Sequence, residues 1–200
     1  FLVLPLLVYR ANSAEGYSFL YAFGERGKAE GQFQYPVGMA VDKDNNIYVS
    51  DWNNDNIQKF SSSGTFLKRF GQDDKENWIR KPVGIAVHGD VIYVSEFGNH
   101  SIWTFTRDGG YKGRFGQIGR GPGQLLYPRG ITVDSNGNIY VADYRNGRVQ
   151  KYGPDGTYLQ KVVYKDSSTG KTSNPRGILI DHEDNLYIAF TGEDMVAKYD

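Results

Sequence analysis

Apolar residues in this chain fall in short runs at alternate positions, cut by clusters of Asp, Asn, Gly and Ser. Runs of four to six residues rich in Ile, Val, Tyr and Phe, such as Ile47-Tyr48-Val49 and Ile139-Tyr140-Val141, have the two-residue period of half-buried strands. The tetrad Pro-x-Gly-apolar occurs at Pro36-Val37-Gly38-Met39, Pro82-Val83-Gly84-Ile85, Pro128-Arg129-Gly130-Ile131 and Pro175-Arg176-Gly177-Ile178, at spacings of 46, 46 and 47. Each tetrad opens a first run, followed by a second at Asn46 to Val49, Val91 to Val94, Asn138 to Val141 or Asn185 to Ile188. A third run follows at Ile57 to Phe60, Ile102 to Phe105 and Val149 to Tyr152, then a Gly turn at Gly64, Gly109 or Gly156 and a fourth run.

Four runs per repeat predict a four-stranded antiparallel meander, and long helices are not expected. A sheet of about 46 residues cannot bury both faces alone, so radial stacking of twisted sheets is the economical solution. The fold class expected is all-β, a β-propeller built of four-stranded antiparallel blades; a solenoid is the alternative, but its coils are usually shorter. The repeats start near residues 33, 79, 125 and 172, and the propeller covers 15–200. Glu15-Gly16 followed by Phe19 to Gly24 reads as an outer strand over 15–24, whereas the last repeat ends on a third strand, Met195 to Tyr199. Four blades could therefore close by completing the blade begun at Pro175 with residues 15–24, or could be part of a larger ring.

Residues 1–14 stand apart. Phe1 to Tyr9 is apolar but half the length a bilayer-spanning helix needs. It is followed by Arg10 and Ala11-Asn12-Ser13-Ala14, which reads as the remnant of an export leader with a small-x-small cleavage site; a core strand is the alternative. One repeat back from the third strands, Arg10-Ala11-Asn12-Ser13 has no strand character, which favours the leader and an extracytoplasmic location.

The phrases Gly31-Gln32-Phe33, Pro36-Val37-Gly38, Val41-Asp42, Asn46-Ile47-Tyr48-Val49-Ser50-Asp51, Gln58-Lys59-Phe60 and Phe70-Gly71 resemble the NHL family of propellers, and the likeness extends over residues 15–200. The family's Asp closing the second strand stands at Asp51 and Asp143, becomes Glu96 and is lost at Phe190, and its Arg before the third strand survives only as Arg148. A locally looser fourth repeat is expected. The resemblance implies a ring of six blades and a non-enzymatic platform for a protein segment or polymeric ligand. Relatives imply two alternatives: a lyase-type or hydrolase-type enzyme with a metal near the central channel, and an RNA-binding domain like that of tripartite-motif relatives.

Composition narrows these. Lys plus Arg and Asp plus Glu number 23 each, so no global field draws the chain to nucleic acid or an anionic membrane. Cysteine is absent, which excludes disulfides, thiolate metal sites and thiol nucleophiles. His88, His100 and His182 fall at different phases of the repeat, against a three-histidine zinc site. Asp42 to Asn46, with its phased copies at Asp134 and Asp181, opens like a calcium loop but lacks the sixth-place Gly and twelfth-place Glu, so it reads as a hairpin turn. Gly116 to Gly123 lacks the Gly-Lys-Ser/Thr of a phosphate loop and matches Gly24 to Gly31, marking it as a connection between blades. No catalytic residue, metal or cofactor is assigned, and a monomer is expected.

In a meander the connections before strand 1 and after strand 2 share one face, here called the top. Trp52, Phe97 and Tyr144 hold one phase in the top loops, where the family more often has a small hydroxyl residue. Aromatic faces give contact area at low entropic cost, so they are candidate ligand-binding residues, the alternative being that each ring covers its own loop. The residue inside Pro-x-Gly sits near the central opening, placing Arg129 and Arg176 at one radius, with Arg145 and Lys81 as possible neighbours. A carboxylate or phosphate could dock between such arginines; solvated pairing with neighbouring acids is the alternative.

Overall fold

The computed structural model describes residues 18–72, 78–165, 168–170 and 172–200, so the leader assigned to 1–14 and the start of the 15–24 strand lie outside them. The chain forms four antiparallel meanders arranged as blades of a propeller. A short parallel pair, β1 (Glu25–Arg26) with β2 (Gln32–Phe33), precedes them. Blade 1 comprises β3 (Pro36–Val41), β4 (Ile47–Asp51), β5 (Asn56–Phe60) and β6 (Phe66–Phe70). Blade 2 comprises β7 (Pro82–His88), β8 (Val91–Glu96), β9 (Ser101–Thr106) and β10 (Tyr111–Phe115). Blade 3 comprises β11 (Pro128–Val133), β12 (Ile139–Asp143), β13 (Arg148–Tyr152) and β14 (Tyr158–Val162). Blade 4 comprises β15 (Pro175–Ile180), β16 (Leu186–Phe190) and β17 (Met195–Tyr199), and no fourth strand pairs with β17 among the described residues.

The turns form for local reasons. In the β3–β4 turn Asp42 Oδ1 accepts the backbone N–H groups of Asp44 and Asn46, and Asp134 and Asp181 repeat this in blades 3 and 4. In these three blades the Tyr of the second strand then donates its hydroxyl to the same carboxylate: Tyr48 to Asp42, Tyr140 to Asp134 and Tyr187 to Asp181. The apparent calcium loop is thus a turn whose acid is held by backbone and tyrosine.

Side chains on the inner and middle strands pack between blades. Tyr48 and Ile57 of blade 1 meet Ile85, Ile92, Val94, Trp103 and Phe105 of blade 2, and Tyr93 and Ile102 of blade 2 meet Ile131, Ile139, Val141 and Tyr152 of blade 3. Burying each large side chain contributes about 1.5–3 kcal/mol. The tetrad glycine lets the sheets close to this distance: a Cβ on Gly38 would stand 2.1 Å from Val83 O, on Gly84 2.3 Å from Arg129 O, and on Gly130 2.8 Å from Arg176 O. At the first two seams a serine adds a hydrogen bond, Ser50 Oγ donating to Val83 O at 2.7 Å and Ser95 Oγ to Arg129 O. Ala142 holds the serine position in blade 3 and has no hydroxyl to give.

Blade 4 faces blade 1 across the central opening without such a seam. A Cβ on Gly177 would meet nothing but Ala189 Cβ at 3.8 Å. Met39 is 72% exposed, whereas Ile85 and Ile131 at the same phase are 7% and 6% exposed. On the other end face Leu179 and Val196 are 60% and 65% exposed. Residues 18–24 form no ladder, because a strand exists only through a hydrogen-bonded neighbour. Phe23 nonetheless lies 4.9 Å from the Phe60 ring and against Gly64, as Phe70 lies against Phe105 and Gly109, and Phe115 against Tyr152 and Gly156.

Candidate functional site

In blades 1, 2 and 3 the carboxylate ending the second strand anchors the start of its own blade. Asp51 accepts the N–H groups of Gln34 and Tyr35, Glu96 that of Arg80, and Asp143 that of Leu126. Asp51, Glu96 and Asp143 are all fully buried. Burial pushes the Asp143 carboxyl above the usual range even though Asn146, Leu126 N–H and Arg148 hydrogen-bond to it. Gln58 and Gln150 brace the connection before the first strand: Gln58 accepts Gly31 N–H and donates to Gln32 O, and Gln150 accepts Gly123 N–H and donates to Gln124 O. These carboxylates and amides are consumed by scaffold contacts and are not aimed at a ligand.

The residues that follow each carboxylate do reach the top face. Trp52, Phe97 and Tyr144 are all half-buried. Trp52 and Phe97 meet across the first seam, and Tyr144 is joined to Phe97 through Arg129 across the second. Trp52 and Phe97 rings are 4.7 Å apart, Phe97 and Tyr127 4.4 Å, and the Arg129 guanidinium lies 5.4 Å from the Phe97 centroid and 4.5 Å from that of Tyr144. Arg145 covers Tyr144 at 5.8 Å and Lys81 covers Trp52 at 5.5 Å. The outcome is a cation–aromatic ladder over three blades, each such contact contributing about 0.5–1 kcal/mol where exposed and more when desolvated.

The central opening forms a cavity of about 740 Å³ floored by Gly38, Gly84, Gly130 and Gly177 and walled by Tyr35, Val37, Trp52, Asn53, Val83, Arg129, Arg176 and Thr191. Among the described residues no carboxylate lines it. Arg129 is half-buried and its Nε has no hydrogen-bond partner. Burial first, and then the charge of Arg176, pull its pKa below the ordinary guanidinium value. Neither arginine pairs with an acid among the described residues, in contrast to Arg148, which is held by Asp143 at 2.7 Å.

Of the residues singled out from sequence, Trp52, Arg129 and Arg176 line the cavity, Phe97 and Tyr144 stand beneath Arg129, and Arg145 sits on the outer side of Tyr144. Sequence reasoning missed Tyr35, Asn53 and Thr191. Tyr35 directly precedes the first Pro-x-Gly tetrad, a fixed phase at which Lys81 and Tyr127 also stand, so its place near the opening could have been read from the repeat. His100 and Tyr127 were missed as a pair: Tyr127 N–H donates to His100 Nδ1 at 2.9 Å, across the seam between blades 2 and 3.

Comparison with known proteins follows the same register. The family model described as NHL repeat matches residues 33–60 and 125–152, the stretches that carry blades 1 and 3 from the first strand through the third. Both stretches are NHL repeats. Protein brain tumor of Drosophila melanogaster is 35% identical over 121 residues, 58% of this chain and 11% of that protein. The B-box type zinc finger protein ncl-1 of Caenorhabditis elegans is 50% identical over 44 residues, 22% of this chain and 5% of that protein. The NHL-repeat chain thus aligns with only a small part of either relative. Among solved structures, a streptogramin B lyase superposes with a TM-score of 0.60 at 18% identity, over 81% of this chain and 53% of that one. A gluconolactonase of Xanthomonas campestris superposes with a TM-score of 0.64 at 20% identity, over 89% of this chain and 60% of that one. Both likenesses establish the propeller fold and nothing of the chemistry.

Proposed function

We propose that this NHL-repeat chain is a non-enzymatic binding platform whose top face receives an acidic protein segment or polymer, with an anionic group entering the central cavity between Arg129 and Arg176. The observation that carries the reading is an arginine with an unsatisfied, buried Nε beside a second arginine, in a cavity with no carboxylate. A desolvated guanidinium without an acid is held at a cost that an incoming carboxylate or phosphate relieves through charge-assisted hydrogen bonds. Trp52 and Tyr35 supply apolar wall, and the ladder behind Arg129 fixes where its charge stands. The reading includes a six-bladed ring, supported by the apolar end faces of blades 1 and 4 and by the larger span of the solved propellers, and a monomer once those faces are covered. No helix among the described residues is long and apolar enough to cross a membrane.

The test is affinity for a glutamate-rich peptide, measured by calorimetry. Charge-assisted bonds of this kind support a loss of about tenfold or more in Arg176→Ala and a larger loss in the double variant Arg129→Ala, Arg176→Ala. Arg176 is exposed, so its removal should leave the Tm unchanged. Unaltered affinity in the double variant overturns the site.

A further inference from the structure

The residue two places before each third strand's second position holds a left-handed backbone in every blade: Asp55 (φ 53°), His100 (φ 58°), Gly147 (φ 62°) and Asp194 (φ 51°). In blade 1 this residue reaches the next blade, Asp55 Oδ1 accepting the N–H of Lys81, the residue before Pro82, at 2.8 Å. In blade 2 His100 performs the same act, its Nδ1 accepting the N–H of Tyr127, the residue before Pro128, at 2.9 Å. Lys81 and Tyr127 share the same left-handed conformation, φ 52° and 56°, so both seams use one geometry with different acceptors. Gly147 has no side chain to offer the next seam.

The two acceptors differ chemically. A carboxylate such as that of Asp55 offers only acceptor oxygens, whereas an imidazole accepts at Nδ1 only while neutral, with its proton on Nε2. Protonation turns Nδ1 into a donor pointed at a donor. We propose that His100 is a proton-operated latch on the seam between blades 2 and 3, closed when neutral, and that its opening at acidic pH releases Tyr127 and with it the alignment of Arg129.

The release has a defined route. Tyr127 touches the His100 ring edge-on at 4.5 Å and the Phe97 ring at 4.4 Å, and it lies two residues before Arg129, whose guanidinium rests on Phe97. His100 is 8% exposed. The charged groups around it come from three elements. Glu96 ends β8 and Asp143 ends β12, and both favour the imidazolium; Asp55 of blade 1 and Arg80 and Lys81, which lead into β7, line the same surface hollow. Glu96 is occupied by Arg80 N–H, Asn99, Ser101 and Trp103, and Asp143 by Arg148 and Asn146, so neither is free to replace the lost acceptor for Tyr127. Burial lowers the His100 pKa, with Glu96 and Asp143 opposing, so the latch opens below the ordinary histidine value of 6.5.

The binding arm of this inference rests on the platform reading above; the latch itself does not. Nuclear magnetic resonance of the 200-residue chain should show the Tyr127 amide shifting with the His100 ring signals at a common midpoint below pH 6.5. Affinity for the glutamate-rich peptide should fall about fivefold between pH 7.5 and a pH below the His100 midpoint found by that titration, the scale of one lost hydrogen bond. His100→Asp, the residue blade 1 uses, and His100→Asn, which tolerates the left-handed backbone, should bind at pH 7.5 like wild type and lose this pH dependence. A Tyr127 amide that stays fixed while His100 titrates, or variants that retain the wild-type pH profile, overturns the latch. A peptide that binds at no pH overturns the platform reading alone, and the amide titration still decides the latch.

Discussion

Asp42 shows how much one side chain does at the seam between blades 1 and 2. Its buried carboxylate closes the β3–β4 turn, receives the Tyr48 hydroxyl at 2.9 Å and accepts Arg107 of blade 2 through Nε at 3.1 Å and Nη2 at 2.8 Å. Burial pushes this carboxyl up, but the hydrogen bonds from Asn46, Arg107 and Tyr48 outweigh it and hold it well below the usual carboxylate range. A carboxyl depressed in the folded state contributes stability that is whole above the unfolded value of about 4 and drains away as pH falls through the folded value. Asp42→Asn should therefore lower the Tm at pH 7 and flatten its decline between pH 4 and 2, as followed by circular dichroism melts. A decline as steep as that of wild type would show that Asp42 carries none of the acid sensitivity. Asp134 and Asp181 make the same turn but lack an arginine from the next blade, so the corresponding changes there should weigh less. The turns were legible because Asp and Asn recur in phase; the Arg107 clasp was not, since no repeat partner marks it.

At the scale of strands, the tetrads announced the blades and left the reason for their glycine unread. Its role needs the neighbouring sheet: the next blade's carbonyl occupies the space of a Cβ at Gly38, Gly84 and Gly130. Gly84→Ala forces backbone apart and should cost about 1–3 kcal/mol, some 2–4 °C in Tm for each kcal/mol in a domain of this size. Gly177→Ala, at the same phase with no neighbour, should be tolerated. Equal melting shifts for the two would refute the seam explanation. The candidate site was legible to a lesser degree. Gln58, Asp51 and Asp143, which carry the family resemblance, hold the frame, while Trp52 and Phe97, which depart from it, meet across the first seam, and Phe97 meets Arg129 across the second. Phase placed these residues on one face but gave no hint that they would engage one another, because the contacts join different repeats, Trp52 with Phe97 and Phe97 with Arg129.

For the whole molecule, four blades present two apolar end faces, Met39 and Val41 on one and Leu179 and Val196 on the other, of the kind buried at the three internal seams. The seams themselves are unequal. The first is fastened by Ser50, Asp55 and the Arg107 clasp, the second by Ser95, His100 and the stacked Arg129. In the third, alanine and glycine stand where the serine and the αL acceptor would be, and among the described residues the seam rests on Gly130 packing, an apolar cluster of Val149 with Leu186, Ile188 and Phe190, and a tie between Ser135 and Asp184 at the exposed turns. Proteins open sub-globally where such fastening is thinnest. Amide hydrogens of β15 and β16 should accordingly exchange with solvent well before those of β8 and β9, and simultaneous exchange of all four sheets would count against it. Seams graded in this way put the give between blades 3 and 4, so opening there is expected to displace Arg176 while the surroundings of Arg129 keep their shape.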